Sequence, residues 1–310
     1  MGSDSNRPLK VGVQLPEVER EVRWSELLEM SRAAEAIGLD SLWTGDHLLY
    51  RRPGQAAKGP WEAWSILAAI AAATTRIAIG PLVAATSFHS PQMLAKKAAT
   101  VDEISGGRLI LGLGAGWNET DYTAFGFPFD HRISRFEEAF TIIRTLLRDG
   151  AIDFTGRYYV ARDCELLPRG PRPQGPPLMI GSVGERMLRI AIPYVDSWNV
   201  WYSTYGNVAE GIAPLRDQVD AACREAGRAP GDVERTVAVL VGFPGGRGRQ
   251  QGEYSPSDPR PVPIHGLAAA LRALAAEGIG HVQLVLDPIT VSSIEALAPV
   301  LADLDAAAAR

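Results

Sequence analysis

Short β-branched or apolar runs alternate along the chain with longer stretches that carry apolar residues at helical spacing. Residues 10–15 read as a strand. Residues 25–37 place Leu27, Leu28, Ala33, Ala34 and Ile37 near one helix face and stop at Gly38, a residue that ends helices because it accepts left-handed backbone. The rhythm continues through strands at 41–44, 77–83, 108–113, 178–181, 196–199, 236–241 and 281–286. The helices between and after them fall at 61–73, 91–104, 134–148, 185–194, 208–226, 267–277 and 291–307, with Gly, Pro or Thr marking many boundaries.

Eight strands thus alternate with eight helices. Strands joined through helices run parallel with right-handed crossovers, and eight such units close into a (β/α)8 TIM barrel; an open doubly wound sheet is the alternative. Two segments break the rhythm. Residues 151–177 contain a hairpin-like run at 153–159, and residues 242–263 are crowded with Gly, Pro and Arg. Insertions of this kind serve as lids or mobile binding loops.

The 310 residues suit a single barrel domain, and 46% hydrophobic residues are enough for a large core. The net charge of −5 comes from acids and bases mixed along the chain, which argues against a nucleic-acid partner. Residues 1–8 are polar and expected to be flexible, without the apolar stretch of a signal peptide, and no later run reads as a membrane span. A cytoplasmic protein is expected. Cys164 and Cys223 lie in different segments without metal or redox spacing and read as free thiols.

In a barrel of this kind the chemistry sits at the C-terminal ends of the strands. There the sequence gathers rings, glycines and imidazole: Trp43 to His47 after the second strand, Ala84 to His89 after the third, and Gly112 to Glu119 after the fourth. Gly181 to Glu185 follow the fifth strand, and Trp198 to Tyr202 the sixth. Gly112 to Gly116 are not a dinucleotide fingerprint, because Trp117 stands where its third glycine belongs. Small residues there permit close approach to a ligand or simply make a tight turn, and Trp117 is a ring-stacking wall or a core residue. Ser182, Val183, Gly184 and Glu185 open a helix whose free amides can attract phosphate, while Glu185 also suits the helix dipole with no ligand present.

These segments, taken in order, resemble the luciferase-like superfamily over nearly the whole chain. The resemblance is carried by Ala34 to Trp43 leading to Asp46-His47, by Ile77 to Val83, by Ala95 to Gly116, and by Gly181 to Glu185 followed by Tyr194 to Asn199. It implies a flavin-type cofactor across the strand ends, with its phosphate-bearing tail at Ser182 to Glu185. The Trp-x-x-Asp-His stretch and the Gly-Leu-Gly-Ala-Gly-Trp segment look more like the branch using the deazaflavin F420 than that using FMN, which stays open as the alternative. It further implies His47 as the proton-handling group with Asp46 beside it, although the pair could instead cap a strand. A non-proline cis peptide at Leu82-Val83 would back the ring, with Ala84, Thr86, Gly114, Gly116, Trp117 and Asn118 contributing contacts.

The expected activity is hydride transfer between F420 and a small organic substrate by a homodimeric enzyme; oxygen insertion with FMN is the runner-up. A non-catalytic flavin-binding barrel is a third reading. His89, His131, His265 and His281 lack metal-ligand spacing, and no nucleophile elbow points to a serine hydrolase. No strand end supplies the lysine of a barrel aldolase. Specificity is expected in residues 48–60, 151–177 and 242–263.

Overall fold

The computed structural model describes residues 7–246 and 258–308. The strands are β1 (Lys10–Gln14), β2 (Ser41–Thr44), β3 (Ala78–Pro81), β4 (Ala84–Ala85), β5 (Leu111–Gly114), β6 (Ala151–Thr155), β7 (Val160–Glu165), β8 (Leu178–Gly181), β9 (Ser197–Val200), β10 (Glu234–Gly242), β11 (Val262–Pro263) and β12 (Ile279–Asp287). One parallel sheet runs in the order β3-β2-β1-β12-β10-β9-β8-β5-β4. Because β3 and β4 are two pieces of one strand, the β4–β5 pairing and the Ile79–Leu109 bridge bring the ends together, giving the expected (β/α)8 barrel.

Helices α1 (Trp24–Ala36), α2 (Ala63–Ala73), α3 (Pro91–Ser105), α4 (Glu119–Phe125), α5 (Arg132–Asp149), α6 (Glu185–Ala191), α7 (Ala213–Glu225), α8 (Leu267–Ala276), α9 (Val291–Glu295) and α10 (Ala298–Ala308) accompany the sheet. Local chemistry explains their ends. The Glu62 carboxylate accepts the Trp64 and Ser65 amides at the start of α2. Ser90 and Pro91 start α3, and Gly106 ends it at φ 67°. The final predicted helix is two, α9 and α10, and α4 is a helix that the apolar pattern did not reveal.

Two cores result. The larger lies between sheet and helices. The smaller, inside the barrel, packs Trp43, Leu82 and Met179. Trp43 fits because inward-facing neighbours lack side chains: a Cβ at Gly12 would lie 2.9 Å from its Nε1, and one at Gly80 2.8 Å from its ring. Several polar groups in the interior satisfy one another. Trp43 Nε1 donates to Ser41 Oγ, which bonds His281 Nε2 at 2.7 Å, and burial pushes the His281 imidazole down to about 3, so it is neutral. Asn199 donates to both Thr236 and Gln283.

The first insertion forms the expected hairpin, β6 with β7, whose turn amides at Arg157, Tyr158 and Tyr159 donate to Glu138 of α5. Its return leg is not a lid. Arg172 bonds the buried Asp102 carboxylate and the Leu109 carbonyl, which fastens the leg at the N-terminal end of the barrel, opposite the strand ends that carry chemistry. In the second insertion residues 247–257 lie outside the described residues. Of the expected flexible start, residues 1–6 lie outside them too, while Arg7 is tied down by Asp40 and Asp305. Cys164 and Cys223 are free thiols. Among the described residues, no helix is long and apolar enough to cross a membrane.

Candidate active site

The C-terminal end of β2 leads directly into Asp46 and His47, whose side chains diverge. His47 Nδ1 donates to Asp121 Oδ2 at 2.7 Å. The other Asp121 oxygen accepts the amides of Leu48 and Leu49 at 3.0 and 2.7 Å, and Asn118 Nδ2 donates to Oδ2 at 3.0 Å while also bonding the Leu49 carbonyl. The Asp121 side chain is fully buried, and that of His47 is 19% exposed. One carboxylate at the start of α4 therefore fixes both the imidazole and the loop that follows it.

Burial disfavours the His47 cation, but the Asp121 hydrogen bond and the charges of Glu17, Asp121 and Asp46 outweigh that cost, so the imidazole is held above its ordinary value. Asp121 is likewise opposed by burial yet held below the usual carboxylate range by His47 and the two backbone amides. The His47 ring lies 4.8 Å from Tyr50 and 5.4 Å from Trp117 between centroids, and Trp117 is 60% exposed. Trp117 is therefore a wall beside the imidazole and not part of the core.

Asp46 turns the other way. Its carboxylate accepts the Ala85 amide at 2.9 Å and faces His89 Nε2 at 3.3 Å, and Lys97 donates to the opposite nitrogen of His89 at 3.4 Å. These bonds brace the break between β3 and β4, where the Leu82–Val83 peptide is cis and the Leu82 amide donates to the Thr44 carbonyl.

The half-buried Val83 side chain sits across the barrel interior. A Cβ at Gly112, Gly114 or Gly181 would come within 2.9, 2.8 or 2.9 Å of its methyl groups. The space that these three glycines leave is taken by Val83. Gly116 has φ 71°, and any side chain there would strike the Tyr122 hydroxyl. Buried Tyr122, its phenol pushed up to about 12 by burial, donates to the Ala115 carbonyl at 2.5 Å. Ala84 is buried in β4, and Thr86 Oγ1 donates to the Gly114 carbonyl at 3.3 Å, stitching the two strand ends together. Asn118 is committed to the Asp121 network described above.

Ser182 to Glu185 occupy the end of β8 and the start of α6. Trp198 Nε1 donates to the Ser182 carbonyl, Gln218 donates to the Val183 carbonyl, and the Gly184 amide donates to Ser182 Oγ at 3.3 Å. Gly184 has φ −70°, and a Cβ on it would meet nothing nearer than 3.8 Å. Glu185 is exposed and pairs with Arg189 one helical turn on.

The structure thus gathers His47 with Tyr50, Trp117 and Asn118, and sets Asp46 behind the bulge. Sequence reasoning missed Asp121 and Glu17. An acid in the first turn of a short helix reads as a dipole partner, so only its proximity to His47 reveals Asp121. Glu17 packs against Gly45, a contact between loops that no sequence period encodes. Among the described residues, no group of three His, Cys, Asp or Glu side chains is placed to hold a metal ion.

Over 228 residues, 70% of this chain and 65% of the relative, the sequence is 32% identical to an F420-dependent glucose-6-phosphate dehydrogenase of Amycolatopsis mediterranei (strain U-32). It is also 32% identical to the pyrimidine monooxygenase RutA of Cronobacter sakazakii (strain ATCC BAA-894) over 186 residues, 58% of this chain and 52% of that one. The match therefore spans less than two thirds of either relative's own length. A solved F420-dependent secondary alcohol dehydrogenase in complex with an F420-acetone adduct superposes with a TM-score of 0.78 at 19% identity, over 96% of this chain and 99% of its own. That likeness bears on the fold. Residues 9–243 match the family described as luciferase-like monooxygenase, and the chain belongs to that family.

Proposed function

We propose that the protein is an F420-dependent oxidoreductase that moves a hydride between the deazaflavin and a small organic substrate, with His47 handling the accompanying proton. The observation that carries this reading is the His47–Asp121 pair at the strand ends. Asp121 accepts a hydrogen bond from Nδ1–H, so Nε2 is left to accept a hydroxyl proton from substrate or to return one. Tyr50 and Trp117 hold the ring against rotation. Asp46 positions the bulge and does not touch the reacting atoms.

The residues at the barrel mouth suit a planar polar-edged ring. Gln14, the last residue of β1, is 3% exposed and its Oε1 has no hydrogen-bond partner, an acceptor suited to a ring N–H donor. Leu82, Val83, Ala84 and Thr86 would back the ring, Gly114, Gly116, Trp117 and Asn118 would border it, and Ser182, Val183, Gly184 and Glu185 would receive the phosphate tail. The bound deazaflavin would supply two-electron hydride chemistry.

Titration of the apoprotein with oxidised F420 and with FMN tests the reading. F420 should bind at least tenfold more tightly, a difference of about 1.4 kcal/mol. Equal or reversed affinities would replace it with flavin-dependent oxygen insertion, the reading favoured by the monooxygenase among the relatives.

A further inference from the structure

We propose that the cleft between the barrel wall and helices α1 and α2 is a second ligand site, adjoining the barrel mouth but separate from it. It would take a compact, uncharged, largely apolar organic molecule carrying one hydrogen-bonding group.

The cleft encloses a cavity of about 450 Å³, within the range of roughly 300–1,000 Å³ typical of small-molecule sites. Leu15, Val22, Leu27, Ala63 and Ile66 supply apolar walls. His47 and the bulge residues do not line it. One polar atom stands out among these walls. Thr44 also borders the cavity and is 8% exposed, and its Oγ1 has no hydrogen-bond partner. A buried hydroxyl without a partner is costly, and a ligand group that reached it would relieve that cost.

Charge decides the ligand class. Glu17, Arg20, Glu21 and Lys58 border the cleft, two acids and two bases. Arg20 is engaged by Glu26, and Glu21 by Arg23. The lining offers no net charge, so a neutral molecule fits better than an anion or a cation. The outer wall belongs to the loop that starts at His47: the Tyr50 and Lys58 backbones pair with each other, and the stretch from Ala57 to Trp61 closes over the cavity. Glu17 reaches from the cleft to Gly45, beside Asp46.

The test is calorimetric titration of the full chain with cyclohexanol, with and without saturating oxidised F420. Saturable one-to-one binding is expected, changed less than twofold by F420. Thr44→Val, which removes the hydroxyl and keeps the shape, should weaken binding at least fivefold while leaving the ligand-free Tm unchanged or higher. Ala57→Phe, at an exposed loop position that borders the cavity, should abolish binding by filling it. The inference is overturned if cyclohexanol does not saturate, if both variants bind it like the parent, or if F420 displaces it, which would locate the probe in the barrel mouth. A protein that binds cyclohexanol in this way but not F420 would refute the proposed cofactor and leave the second site standing.

Discussion

The two corners of the barrel mouth are built on different principles. At the His47 corner a buried carboxylate from α4 accepts bonds from an imidazole, two backbone amides and a side-chain amide, so several atoms are fixed by one residue. At the Ser182 to Glu185 corner the bonds are local and dispersed: Glu185 pairs with Arg189, the Ser182 carbonyl accepts Trp198 Nε1, and the Gly184 amide donates to Ser182 Oγ. A group that must move a proton needs one orientation and a tuned affinity for that proton, which a charged network provides. The phosphate site proposed at this corner would instead depend on amides and open space at a helix start.

This contrast is broken first by His47→Ala. Turnover should fall about 10²–10⁴-fold, while the affinity for oxidised F420, followed by fluorescence, stays within a few-fold. Unchanged turnover would return His47 to a role in capping its strand.

Asp121→Asn should have the next largest effect, because an amide cannot accept all the bonds that the carboxylate does. Loss of about 1–3 kcal/mol is expected in urea denaturation. The pH dependence carries a sign. His47 is raised, so its pairing contributes stability that is fully present below its ordinary value and fades as pH rises through the raised one; for Asp121, which is lowered, the contribution is lost only as pH falls through the lowered value. If neutral His47 is the base for substrate oxidation, the rate should climb with pH through a midpoint above the ordinary imidazole value. In Asp121→Asn that midpoint should move down. A midpoint that stays put would separate Asp121 from the tuning of His47.

Gly181→Ala probes the floor between the corners. The added methyl would press on Val83, and overpacking of this kind costs about 1–3 kcal/mol. The double variant with Val83→Ala should recover most of that loss, and failure to recover would mean that Gly181 serves its own backbone and not Val83. The smallest and most local effect is expected for Gly184→Val. The structure has room for the side chain, so the melting temperature should hold, while F420 affinity falls at least tenfold, about 1.4 kcal/mol. A deazaflavin fragment without phosphate should bind the variant as it binds the parent; equal weakening of both would move the phosphate away from this loop.

The barrel itself was legible in the sequence. Its strands are short apolar runs that must be buried on both faces, its outer helices are amphipathic, and both patterns depend only on neighbours a few positions away. His47 stood out for the same reason: one imidazole, directly after a strand, at the end where barrels keep their chemistry. The partners of these groups were decided by tertiary structure. Asp46 and His47 are adjacent in sequence yet serve opposite sides of the strand end, one bracing Ala85 and the other facing Asp121, because successive side chains of an extended chain point in opposite directions. Whether a glycine after a strand receives a ligand or the Val83 side chain depends on which residue crosses the barrel axis. Asp121, from helix α4, and Glu17, from a loop, meet the His47 corner from 74 and 30 positions away. Local periodicity sets which face of each element is buried; only closure of the barrel brings the ends of different elements to one point, and the chemistry is assembled there.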